Sequence, residues 1–93
     1  MMNEFNKYFI AVQIEEDGEL IEKYYANDAY SGGYPYFCDY IRYREVRSFR
    51  SIEDIKKFLE KEYNEETNSF DCCNQKFVDK PYVVELVLNR IEL

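Results

Sequence analysis

"KYFIAVQIEEDGELIEKYYA", residues 7–26, decides the fold. Tyr8, Ile10, Val12 and Ile14 alternate with Phe9, Ala11 and Gln13, and this period of two belongs to a β-strand. Asp17-Gly18 then supplies two residues that tolerate positive φ, as a tight hairpin turn requires. Leu20, Ile21, Tyr24 and Tyr25 resume the apolar pattern on the return. The stretch predicts an antiparallel hairpin.

Downstream, "NDAYSGGYP" (residues 27–35) is rich in turn formers and reads as a loop. Pro35 pushes Tyr34 towards an extended backbone. A third strand is expected around Tyr36–Tyr43, with Tyr36, Cys38 and Tyr40 on one face and Phe37 and Asp39 on the other. From Arg42 to Arg50 the pattern allows either a continuation of that strand or a short strand near Val46–Phe49. "SIEDIKKFLEKEYN" (residues 51–64) reads as a helix. Ser51 is a good N-cap with Asp54 three residues on. Ile52, Ile55, Phe58, Leu59 and Tyr63 form an apolar stripe, and Asn64 can end the helix in the left-handed region.

The connector "EETNSFDCCNQKFVDK" (residues 65–80) shows no period and is expected to be pinned by Phe70 and Phe77. "PYVVELVLNRIEL" (residues 81–93) reads as a strand that is apolar on both faces, which places it inside the sheet. The expected architecture is one α+β domain over residues 1–93. It has a small antiparallel sheet led by the N-terminal hairpin, in the order β-β-β(-β)-α-β, with one amphipathic helix packed on one face. One helix covers one face only. Loops, the aromatic segment or a second copy of the chain in a homodimer are the candidates for the other.

At 93 residues the chain can bury roughly 65% of its unfolded surface, enough for a small core without staples. Nineteen acids against twelve bases give a net charge of −7. Such a field repels phosphate backbones and suits a basic partner. The charge is uneven. Residues 40–57 hold six bases and three acids, a local +3, and the rest of the chain holds six bases and sixteen acids, a local −10. An odd count of three cysteines, no signal-peptide pattern and no long apolar run lead to the expectation of a cytoplasmic protein with no membrane contact.

The chain has no histidine, which removes Ser-His and Cys-His pairs and imidazole metal ligands. Gly32-Gly33 belongs to no phosphate-binding loop. The expectation is a non-enzyme with no cofactor and no metal. Cys72-Cys73 after Asp71 could join Cys38 in a soft metal or redox site, but adjacent cysteines do not easily point at one ion. Two small side chains in a reducing cell explain them as well.

Two surface readings follow. Tyr24–Tyr43 holds seven Tyr and one Phe in twenty residues, more rings than one helix can cover. It yields a candidate partner-binding patch of Tyr30, Tyr34, Tyr36, Phe37 and Tyr40, with Glu15, Glu16, Asp17, Glu65 and Glu66 steering a basic partner. The alternative is a small nucleic-acid-binding domain that uses Arg42, Tyr43, Arg44, Arg47 and Arg50. Period two separates Tyr43 from Arg42 and Arg44, and the same arginines can instead pair with the chain's surplus acids.

"SGGYPYF" (residues 31–37) followed by "VRSFRSIEDIKKFLEK" (residues 46–61) resembles small uncharacterised proteins carried by phages and mobile elements of low-GC bacteria. The resemblance covers residues 31–62 and carries over no catalytic or binding residue. Length, acidity and tyrosine content are also similar in type to anti-CRISPR proteins. The resemblance implies a phage-borne, stoichiometric inhibitor of a host protein or ribonucleoprotein complex.

Overall fold

A computed structural model describes residues 6–27, 36–41, 45–70 and 75–87. Strands β1 (Asn6–Glu16) and β2 (Glu19–Ala26) form the expected hairpin, in register from Glu16↔Glu19 to Ala11↔Tyr24. Asp17 and Gly18 take φ of 51° and 81°, the positive pair that a two-residue turn matched to strand twist needs. A Cβ on Gly18 would meet no atom within 4 Å, so Gly18→Ala suffers from the left-handed backbone alone. Urea unfolding should show a loss of about 1–2 kcal/mol. Asp17→Asn should be nearly neutral, because Asn tolerates this region too.

Strand β3 (Tyr36–Cys38) pairs with β2, and β6 (Tyr82–Val87) pairs with β1. The result is a four-stranded antiparallel sheet in the order β3-β2-β1-β6. Helix α1 (Ile52–Glu62) packs against β1. A two-stranded ribbon, β4 (Tyr63–Asn64) with β5 (Ser69–Phe70), follows the helix directly. The protein is thus a small α+β fold, as the sequence predicts.

The core lies between the helix and one sheet face. Tyr8, Ile10, Val12 and Ile14 of β1 meet Tyr25, Phe49, Ile55, Phe58, Leu59, Phe70 and Phe77 there. Ser51 caps the helix, its Oγ accepting from the Asp54 N–H at 3.1 Å. Ile55 is buried and Phe58, Leu59 and Tyr63 are half-buried against the core, but Ile52 is 47% exposed because the first turn lies beyond it. Phe70 and Phe77 pin the connector as expected, at 1% and 6% exposure.

Four expectations need correction. First, Asn64 does not end the helix in the left-handed region. Tyr63 is the extended C-cap, and Asn64 enters β4 with its Oδ1 accepting from the N–H groups of Glu66 and Thr67. The left-handed residue is Asn68, at φ 50°. Second, β3 stops at Cys38 rather than running to Tyr43, and Tyr40 lies beyond it.

Third, β6 is an edge strand of this sheet, and β1 and β2 hold the interior places. Lys7, Gln13 and Glu15 make the second face of β1 look wet in the sequence. Phe9 and Ala11 between them are nonetheless buried, at 4% and 0%. β6 is apolar on both faces yet only half-buried.

Fourth, of the two readings of residues 42–50, the continuation of β3 fails and the short strand near Val46–Phe49 is met only as single bridges. The segment makes two of them, Ala26↔Val46 and Tyr8↔Phe49. Because β3 and β6 hold the other edges of β2 and β1, these bridges put the segment between the two hairpin strands, which part after Ala11↔Tyr24.

Candidate interaction surface

The hairpin tip concentrates acid on a short, defined turn. Glu15, Asp17 and Glu19 are exposed, and Leu20 beside them is 61% exposed, the most open large apolar side chain among the described residues. Glu16 is committed within the hairpin, its carboxylate 2.5 Å from the Lys23 Nζ. Glu65 and Glu66 lie on a second exposed feature, the β4–β5 turn, where they line a shallow depression with Glu60, Lys61, Tyr63 and Asn64.

The aromatic patch is divided by the pleat. Tyr36 is half-buried on the sheet face opposite the helix, and Tyr40 is 50% exposed. Phe37 points the other way, its ring 5.4 Å from Phe77 and 5.6 Å from Phe70. Its place is therefore core packing. Tyr30 and Tyr34 lie outside the described residues.

Of the arginine set, Arg42, Tyr43 and Arg44 lie outside the described residues. The Arg47 guanidinium sits over the rings of Phe49 and Phe58, 5.0 and 5.6 Å from their centroids, which is a cation–π arrangement. Arg50 is exposed. Cys38 is half-buried, and Cys72 and Cys73 lie outside the described residues. Among the described residues no three Cys, Asp or Glu side chains cluster as metal ligands. No helix among them is long and apolar enough to cross a membrane.

On the sheet face opposite the helix lies a polar network that the sequence reading did not single out. Ala11 pairs with Tyr24 on one side and Tyr82 on the other, so the two phenols flank it. Both donate to one carboxylate, Tyr24 to Oε1 of Glu22 and Tyr82 to Oε2. Gln13 completes the set, its Nε2 donating to the Tyr82 hydroxyl at 2.8 Å. One carboxylate thereby ties β2 to β6 across β1. The hairpin turn alone fixes the Gln13↔Glu22 pairing, since register follows from a two-residue loop. Tyr82 comes from far along the chain, and no local signal points to it.

Burial, followed by the hydrogen bond to Glu22, pushes the Tyr24 phenol up to about 12. Burial also raises Tyr82, with the Glu22 bond adding to the effect and the Gln13 bond opposing it. A phenol whose folded value lies above its unfolded value near 10 contributes stability that is complete below about pH 10. That contribution fades as pH rises through about 12. Absorbance titration of the wild type should therefore show a late-titrating phenol that Tyr24→Phe removes. A Tyr24→Phe titration identical to the wild type beyond the loss of one ordinary phenol would contradict the assignment.

Comparison with known proteins gives no match: no family model, curated protein or solved structure is significantly similar to this chain.

Proposed function

We propose that this chain is a non-enzymatic interaction protein, a phage-borne inhibitor of the anti-defence type that occupies a basic surface on a host protein or ribonucleoprotein complex. The supporting observation is the hairpin tip, where three exposed carboxylates lie within five residues of an open leucine at a two-residue turn. Carboxylates so placed steer a basic partner, and an apolar anchor among them supplies area once contact is made. Tyr36 and Tyr40 are further contact candidates, and Glu65 and Glu66 extend the acidic field. The phage origin rests on the sequence resemblance over residues 31–62, and the inhibitory role on the likeness in length, acidity and tyrosine content to anti-CRISPR proteins. The nucleic-acid alternative draws less support, because the Arg47 guanidinium is already stacked on the protein's own rings.

The test uses the full chain as bait in lysate of a low-GC bacterial host. The comparison bait carries Glu15→Gln, Asp17→Asn, Glu19→Gln and Leu20→Ser, all exposed at the end of the hairpin. The wild type should retain a partner that is released between ~50 and ~200 mM salt, and the variant should retain at least about tenfold less. Equal capture of the same partner by both baits, with equal melting temperatures, overturns the assignment of the tip.

A further inference from the structure

The gap between β1 and β2 is occupied by the chain itself. A two-residue hairpin closes on a hydrogen-bonded pair, here Glu16↔Glu19, and such pairs then recur at every second residue. Continued past Ala11↔Tyr24, the same register would set Ile10 against Tyr25 and Tyr8 against Asn27, with their main-chain groups facing one another. Four of those groups, on Tyr8, Tyr25 and Asn27, are instead taken by residues 45–49. The Tyr25 carbonyl accepts from Arg47 N–H at 3.0 Å, and Asn27 N–H donates to the Glu45 carbonyl at 3.1 Å. Tyr8 exchanges two bonds with Phe49, at 3.2 and 2.8 Å.

The inserted segment therefore makes four main-chain bonds. The zipped hairpin would also make four, two in each of the pairs Ile10↔Tyr25 and Tyr8↔Asn27. The backbone does not decide between the two pairings. The side chains hold the segment in: Val46 and Phe49 are each 8% exposed, and Arg47 lies over Phe49 and Phe58. The segment runs straight into the Ser51 cap of α1, and Phe49 touches Phe58 of that helix with ring centroids 5.5 Å apart.

We propose that residues 45–49 are a displaceable wedge, and that the hairpin is bistable at this end between the inserted state and a zipped state in which β1 and β2 pair directly. Expulsion of the wedge removes Phe49 from Phe58 and frees the lead into α1. Pairing in the sheet is thereby coupled to the seating of the helix. A partner that grips the wedge or the helix start shifts this equilibrium, whatever the hairpin tip binds.

Amide hydrogen exchange on the unmodified protein separates this device from simple fraying. In the zipped state the Tyr8 and Asn27 amides find new partners, whereas Arg47 and Phe49 are left in solvent. Arg47 and Phe49 should thus exchange about tenfold or more faster than Tyr8 and Asn27. A common rate for all four amides overturns the proposal.

A covalent trap reads the same equilibrium independently. Phe9 and Ala26 would be directly opposed in the zipped register. In the inserted state the segment lies between them, and because it pairs antiparallel with both strands it turns back on itself there. Phe9 and Ala26 are then at least two strand spacings apart, about 9–10 Å or more, beyond disulfide reach. With Cys38, Cys72 and Cys73 changed to Ser, the Phe9→Cys/Ala26→Cys variant should form an intramolecular disulfide under mild oxidation. A folded variant that stays reduced, while the same chain oxidises in denaturant, contradicts the zipped state. Should the double variant fail to fold, the exchange measurement decides alone.

Discussion

Phe70→Ala should remove about 4–5 kcal/mol of stability, the largest loss expected from any single substitution in this protein. Phe70 is 1% exposed and meets rings from β2, β3, α1, β4 and the connector. Its ring meets Phe77 at 5.3 Å, Tyr25 and Phe37 at 5.6 Å, Phe58 at 5.8 Å and Tyr63 at 6.5 Å. Four of these five contacts are edge-to-face, the arrangement that sets a positive ring edge against a negative face.

Truncation to alanine leaves a cavity that five rigid rings cannot collapse to fill, so the transfer and cavity losses add. A domain of this size holds about 5–15 kcal/mol in all. The melting temperature should fall by about 20 °C or more, and the unfolded fraction at 37 °C should rise accordingly. Phe70→Leu keeps most of the volume and should cost about 1–2 kcal/mol. Thermal melts followed by near-ultraviolet circular dichroism check both. An alanine variant within 1 kcal/mol of the wild type would mean that the ring cluster is not the core.

Asn68→Ala should cost about 3–4 kcal/mol, a large effect for a half-buried polar residue on a turn. Asn68 holds φ at 50°, where alanine is strained. Its side chain also joins three segments. Nδ2 donates to the carbonyls of Phe77 at 2.9 Å and Asp79 at 3.3 Å, and Oδ1 accepts from the Tyr63 hydroxyl at 2.6 Å. The main chain adds a Phe77 N–H bond to the Asn68 carbonyl at 3.0 Å.

Asn68→Gly relieves the backbone strain but still loses the side-chain bonds, so it should fall between the wild type and alanine, at about 2 kcal/mol. Asn68→Asp keeps the acceptor for Tyr63 but turns a carboxylate oxygen towards two carbonyls. Its folded pKa should therefore rise. Stability would be fullest below the unfolded aspartate value and lost as pH rises through the folded one. Urea unfolding across pH 3–7 measures this. A glycine variant no better than alanine would remove the left-handed strain from the account, and a pH-independent Asn68→Asp would remove the carbonyl contacts.

Much of the scaffold is legible in the residues alone, because its signals are local. Period two from Tyr8 to Ile14, positive-φ tolerance at Asp17-Gly18 and the Ser51 cap each act within a few residues. They fix the hairpin, its register and the helix start. The acidic tip follows directly, since a two-residue turn puts those side chains at the end of the ribbon, whereas Leu20 reads as part of the return strand's apolar pattern and is in fact 61% exposed. The pleat also predicts that Phe37 faces away from Tyr36, which assigns one ring of the aromatic patch to the core.

Long-range pairing settled the rest. Nothing near β6 says that it lies at the sheet edge while β1 lies inside, because apolar character on both faces fits either place. The Glu22 network needs Tyr82 opposite Ala11, a register that the hairpin cannot dictate. Arg47 looks like a base-binding arginine until Phe58, eleven residues on, comes under its guanidinium. The segment at 45–49 is the sharpest case. Its sequence carries a strand's apolar residues at Val46 and Phe49, but only the parting of β1 and β2 creates the gap that receives them. Local sequence sets which backbone shapes are cheap. Which of two equally bonded pairings a strand adopts depends on the apolar surface that each one buries, and that surface exists only once distant segments have met.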